Sequence, residues 1–137
     1  MTASTVRATP VSTSIFRPAR ILGAAGIALA ANLAAFGVGN AAGASWDVGQ
    51  PYPISGWAVA LATLVAFAVG GLATWLGSRW RPGFQRFAAW AGLALGLVSM
   101  APLLGAADLA TGLSLGFMHL VAASLWLWTA LGKGDVR

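Results

Sequence analysis

Neither cysteine nor glutamate occurs anywhere in the 137 residues, and histidine occurs once. Without thiols there is no disulfide-stapled secreted domain, and none of the quinone-linked chemistry that small membrane proteins perform with reactive cysteine pairs. One histidine falls short of the two axial ligands of a transmembrane haem. With only three scattered aspartates beside it, it also falls short of a three-ligand catalytic zinc site. No G-x-S-x-G, P-loop or intramembrane carboxylate pair is present. The sequence therefore leads to no metal site, no cofactor and no enzyme.

Charge is scarce as well. Only 8% of residues are charged, against roughly 25% in a soluble domain, while 58% are hydrophobic. A water-facing surface cannot be built from this composition, and a disordered chain would be poorer in hydrophobic residues. The charges are bunched, leaving uncharged runs from Ile21 to Trp46, Val48 to Ser78, Phe87 to Ala107 and Leu109 to Gly132. Each exceeds the ~20 residues a helix needs to cross a bilayer. The fold expected is all-α: an integral membrane bundle of four transmembrane helices in two hairpins.

Punctuation refines the spans to about residues 21–40, 54–76, 87–104 and 109–131. Gly43, Gly49, Pro51 and Pro53 break the first connector, and Arg79, Arg81, Pro82, Gly83 and Arg86 form a short basic turn. Pro102 removes a backbone donor and predicts a bend near the end of the third span, and Asp108 stands where it would cap the fourth. Residues 1–19 read as a disordered tail, 20–132 as the transmembrane domain and 133–137 as a second short tail. A competing reading makes the first span a cleaved signal peptide ending at Ala44. Its apolar run is longer than the usual 7 to 15 residues, about, and Asn32 interrupts it, so a retained span is preferred.

Orientation follows from the cations, because cytoplasmic loops retain Lys and Arg. Arg7, Arg17 and Arg20 precede the first span, Arg79, Arg81 and Arg86 join the second and third, and Lys133 and Arg137 follow the fourth. Both termini are thus expected in the cytoplasm. Trp46, Tyr52 and Trp57 would mark the outer boundary, and Trp75, Trp80, Trp90, Trp126 and Trp128 the inner one. Arginine outnumbers lysine seven to one amid abundant Ala and Gly, which suggests a GC-rich bacterial genome and a multi-pass protein of a bacterial plasma membrane. The net charge of +5 reads as a topology signal and a contact for anionic lipid heads. No aromatic base-stacking surface accompanies it, so membrane lipid is an expected partner and nucleic acid is not.

Helices in lipid approach one another on small residues. Such stripes run through Ala25, Ala28, Asn32, Ala35 and Gly39 in the first span and Gly56, Ala60, Thr63, Ala66, Gly70 and Thr74 in the second. The third offers Gly92, Gly96 and Ser99, and the fourth Gly112, Gly116, His119, Ala123 and Trp126, so Gly92 with Gly96 and Gly112 with Gly116 form two G-x-x-x-G packing motifs. At 1.5 Å per residue, Asn32 and His119 stand roughly 17 to 18 Å from the inner ends of their helices, and Ser99 and Thr63 roughly 20 Å. These four define a candidate midplane polar site, either hydrogen-bonding between helices or lining a small cavity that binds a ligand or relays a proton.

Four short patterns carry a family resemblance: A-A-N-L at Ala30–Leu33, A-A-G at Ala41–Gly43, G-A-A-D at Gly105–Asp108 and F-M-H-L at Phe117–Leu120. Together they resemble an actinobacterial family of four-span proteins classed as domain of unknown function 6069, over about Arg20 to Leu131. The resemblance implies a four-helix membrane protein and assigns no activity or functional residue. Small multidrug transporters match poorly, because their family relies on a membrane-embedded glutamate. Two functions are expected on these grounds, with a lipid-binding or lipid-modifying protein as a third reading. The first is a non-enzymatic membrane protein acting through helix contacts, as a homo-oligomer or a complex subunit. The second is a small transporter or channel subunit using the polar site around His119.

Overall fold

A computed structural model of the chain describes residues 18–132. Of the expected tails at 1–19 and 133–137, residues 1–17 and 133–137, with Arg7, Arg17, Lys133 and Arg137, lie outside the described residues, whereas Pro18 and Ala19 already belong to the first helix. Four α-helices follow in order: α1 Pro18–Ala41, α2 Gly56–Trp80, α3 Phe84–Val98 and α4 Leu109–Leu131. No strand occurs among the described residues. With 24, 25 and 23 residues, α1, α2 and α4 are long enough for a ~30 Å hydrocarbon layer, and an 18-residue stretch of each has a mean hydropathy of 2.0, 2.0 and 1.4, which suits it.

Local chemistry sets the ends. Ser55 caps α2 by accepting from the Ala58 N–H at 3.2 Å. Asp108 caps α4 by accepting from the Thr111 N–H at 2.7 Å. Between α2 and α3 the chain reverses through Gly83 at φ +88°, a conformation that glycine adopts without a Cβ penalty. The third span departs from the continuous, bent helix expected over 87–104. The α-helix stops at Val98, and a 3₁₀ turn over Ala101–Gly105 completes the crossing. Pro102 has no N–H to offer the Val98 carbonyl. The chain tightens instead to shorter-range bonds, Met100 N–H to Leu97 O at 3.1 Å and Leu103 N–H to Met100 O at 2.9 Å.

The helices close into a ring in which α1 packs on α2 and α4, and α3 packs on α4 and α2. Large apolar side chains such as Leu22, Val69, Leu95 and Leu113 cover the outside. Inside are two apolar clusters. One gathers Ala24, Ala25, Ala28, Phe67, Ala89, Trp126 and Ala130 toward the basic end. The other gathers Trp46, Val59, Leu115 and Met118 toward the opposite end.

Trp126 is the keystone of the first cluster. Only 8% exposed, its ring crosses the bundle from α4 to α2 and α3. A Cβ on Gly70 would lie 2.9 Å from the ring, and one on Gly92 would overlap its Nε1. The Nε1–H donates to Ala88 O at 3.0 Å, and Phe67 meets the ring edge to face with centroids 6.1 Å apart. Gly96 approaches Ala123 so closely that a Cβ would stand 2.8 Å from the alanine methyl.

Thermal unfolding in detergent, followed by circular dichroism, tests this keystone. Trp126→Ala should cost about 3 to 5 kcal/mol by opening a cavity. Gly92→Ala should cost about 1 to 3 kcal/mol by overpacking. Gly26→Ala, where a Cβ meets nothing within 4 Å, should leave stability unchanged or slightly higher. Equal stability of all three variants would dismiss the wedge.

Candidate functional site

Between the two apolar clusters lies a polar level. Asn32 of α1 and Thr63 of α2 are both buried, and the Asn32 Nδ2 donates to Thr63 Oγ1 at 2.9 Å. The threonine hydroxyl has one proton, which it donates to Val59 O at 2.8 Å. It can therefore only accept from Asn32, which fixes the amide with Nδ2 toward α2. The Asn32 Oδ1 then has no partner among the described residues, although the residue is 4% exposed.

The other two members of the expected site stand apart from this pair. His119 is half-buried, and its Nδ1 lies 2.8 Å from Leu115 O on its own helix. A carbonyl can only accept, so Nδ1 carries the proton of this bond. Ser99 faces outward and donates to Gly96 O at 2.8 Å. The structure thus joins Asn32 to Thr63, while His119 and Ser99 each bond within their own helices.

The four motif glycines face the interior of the protein. Gly92 meets Trp126, and Gly96 meets Ala123. Gly116 faces Leu103 and Met100, and Gly112 faces Ala106, so this second pair accommodates the 3₁₀ segment and its flanks.

A second polar constellation, at the end away from the basic turn, involves residues that sequence reasoning assigned only in part. Beyond capping α4, the Asp108 carboxylate accepts from the N–H of Ser45 at 3.0 Å and from its hydroxyl. The Thr111 hydroxyl donates to the same carboxylate at 2.8 Å and accepts from the Trp46 N–H at 2.9 Å. The Ala107 N–H donates to Asp47 O at 3.0 Å. One carboxylate therefore fastens the first connector to the start of α4. The Ser45 hydroxyl, then the Thr111 and Ser45 N–H groups and the Thr111 hydroxyl, hold Asp108 well below the usual carboxylate range.

Trp46 departs from the boundary position expected for it. It is 4% exposed, stacked on Phe36 with centroids 4.4 Å apart, and it donates from Nε1 to Asn40 Oδ1 at 2.8 Å. A Cβ on Gly39 would come within 2.6 Å of the indole. Its backbone takes φ +60°, which costs a non-glycine residue about 1 to 2 kcal/mol. The clasp around Asp108 holds it there. Trp126 likewise turns inward, whereas Tyr52, Trp57, Trp80, Trp90 and Trp128 are exposed as interfacial aromatics should be.

Among the described residues no three His, Cys, Asp or Glu side chains come together to hold a metal ion. What the arrangement offers is hydrogen bonding at one neutral midplane level and a rigid clasp at one end. Three long apolar helices and the apolar segment Phe84–Gly105, made of α3 and the 3₁₀ turn, close into a ring and make this a multi-pass, four-helix membrane bundle. The sequence profile described as "Family of unknown function (DUF6069)" matches residues 13–134, and the chain belongs to that family. No curated protein and no solved structure matches it.

Two measurements probe these sites. Because folding depresses the Asp108 pKa, its contribution is complete above the ordinary value of about 3.9 and is lost as pH falls below it. Amide exchange at Ser45 and Trp46, corrected for intrinsic rates, should lose protection between about pH 5 and about pH 2, and Asp108→Asn should remove that dependence. At the midplane, Thr63→Val should cost about 1 to 3 kcal/mol by stranding the whole Asn32 amide, while Asn32→Leu, which removes the unmatched oxygen too, should cost less. The reverse order of the two variants in thermal unfolding would contradict the pairing described.

Proposed function

We propose that this protein is a non-enzymatic membrane protein that acts through helix contacts, as a homo-oligomer or as a subunit of a larger complex. The observation that supports this reading is the outward face of α1. Gly26, Ala30, Ala34, Gly37 and Ala41 succeed one another at helical spacing and are exposed, and Gly23, Gly26 and Gly37 have nothing within 4 Å of a Cβ. Gly39, Gly70, Gly92 and Gly96 are already occupied by neighbours inside the bundle, and α2 and α4 turn mainly larger residues such as Leu64, Leu72, Leu113 and Phe117 outward. A smooth lipid-facing helix lets a second helix approach closely, which is how association is driven where the hydrophobic effect is absent.

The membrane proposed is a bacterial plasma membrane, with the Arg79–Arg86 turn and both termini in the cytoplasm. The positive-inside rule supports this orientation, since that turn has three arginines and the opposite connectors have none. The transporter or channel reading draws less support. His119 is engaged by its own helix and Ser99 faces away from the interior, which leaves the Asn32 oxygen as its main ground.

A set of single cysteines in this cysteine-free chain tests the proposal in native membranes. Gly26→Cys and Ala30→Cys should cross-link between protein chains, whereas Leu64→Cys and Leu72→Cys on α2 should not. Asp47→Cys and Gly83→Cys should react with an impermeant label from opposite sides. An absence of cross-linking at every α1 position, or labelling of positions 47 and 83 from one side, would overturn the corresponding part.

A further inference from the structure

At the basic end, the reversal between α2 and α3 encloses a cleft of about 520 Å³ lined by Trp80, Arg81, Gly83, Phe84 and Phe87, with Gly77 at its base. Its apolar wall is fixed. Phe84 lies on Gly77 so tightly that a Cβ there would overlap the ring, and Phe87 tilts against Phe84 with centroids 5.7 Å apart. Trp80 is 80% exposed at the end of α2, where a membrane span meets the headgroups.

The rim of the cleft is cationic. Arg81 lines it, while Arg79, over the Trp75 ring at 3.8 Å, and Arg86, in the first turn of α3, add charge to the same turn without lining the cleft. Gly83 begins the 15-residue α3 without a side-chain cap, so the positive end of the helix dipole also faces this region. The only acidic groups among the described residues are Asp47 and Asp108. Both lie beyond the far end of α2, whose 25 residues span roughly 37 Å. No acidic group of the described residues can neutralise this rim.

We propose that this cleft is a binding site for one anionic phospholipid, its phosphate held by Arg81 at the α3 N-terminus and the start of an acyl chain lying on Trp80, Phe84 and Phe87. The combination of an apolar wall and a cationic rim selects this occupant. A soluble anion would leave the aromatic wall unused, and a zwitterionic lipid would bring a cation of its own to the arginines. The site lies at the turn between α2 and α3 and does not depend on the α1 association face.

Trp80 provides the readout. The full-length protein is reconstituted in phosphatidylcholine vesicles containing a fixed fraction of brominated phosphatidylglycerol or, separately, of brominated phosphatidylcholine. The Trp80 signal is the difference between the wild type and Trp80→Phe. Brominated phosphatidylglycerol should be enriched at Trp80 about fivefold over brominated phosphatidylcholine, a factor in keeping with one basic residue at an anionic headgroup. Arg81→Gln should abolish the preference, and Arg81→Lys, which keeps the charge, should retain most of it. Equal quenching by both lipids would overturn the proposal. So would shielding of Trp80 from both, which would place a second copy of the chain in the cleft.

Discussion

The bundle depends on a large ring entering space left by absent side chains. In lipid, apolar surface gains nothing by leaving its surroundings, so a helix pair is held by the closeness of its packing and by hydrogen bonds that the bilayer cannot supply. Trp126 does both at once. Its ring fills the recesses at Gly70 and Gly92, and its Nε1–H finds the Ala88 carbonyl on α3. The position reconciles α4 with α2 and α3, and the small faces of α1 at Ala25 and Ala28 close over the same cluster. Glycine at 70 and 92 and tryptophan at 126 are thus one constraint distributed over three helices.

The far end solves a different problem. There the chain must turn through the connector of residues 42–55, whose backbone groups cannot all pair within a helix. A single carboxylate organises them: Asp108 caps its own helix and gathers both Ser45 donors, and Thr111 passes the connection on to Trp46. With its backbone anchored in a left-handed conformation, Trp46 can plug the bundle beside Gly39 with its indole. The strain at Trp46 and the lowered pKa of Asp108 therefore have one origin, since the bonds that favour the carboxylate also hold the tryptophan.

Much of this architecture is legible in the sequence because a membrane constrains length and polarity so strongly. Uncharged runs longer than a bilayer crossing locate all four helices, and small residues at helical spacing identify the inner face of α1, where Ala25, Ala28, Asn32 and Gly39 are buried. On α2 the pattern is less reliable. Ala66 faces outward while Val59 and Phe67 face inward, because a small residue marks close approach only if a neighbour arrives. For the same reason Ser99 and Thr63, similar in depth, differ in direction. The roles of Trp46 and Ser45 are set by long-range partners, the Ser45–Asp108 bond joining residues 63 positions apart, and no local pattern announces them. The pairing of Asn32 with Thr63 lies between these cases, since depth suggests it and only the packing of α1 on α2 completes it.

The distribution of polarity follows one physical rule. Among the described residues, full charges stand where water or headgroups reach them, at Arg20 in the first turn of α1, at the basic turn and around the Asp108 clasp. The polar groups of the midplane bond to one another or to their own helix backbone. Asn32 is the exception, because Thr63 spends its only proton on Val59 O and has none to return to the amide oxygen. An amide donor and a threonine acceptor thus join α1 to α2 at the level where the two apolar clusters part. An ionised residue at the same depth would cost far more to desolvate. Neutral pairing of α1 with α2 at mid-depth, an indole wedge at the basic end and a carboxylate clasp at the other fix the helices at three heights. The outer face of α1 takes no part in any of them, and that is why its glycines and alanines remain open.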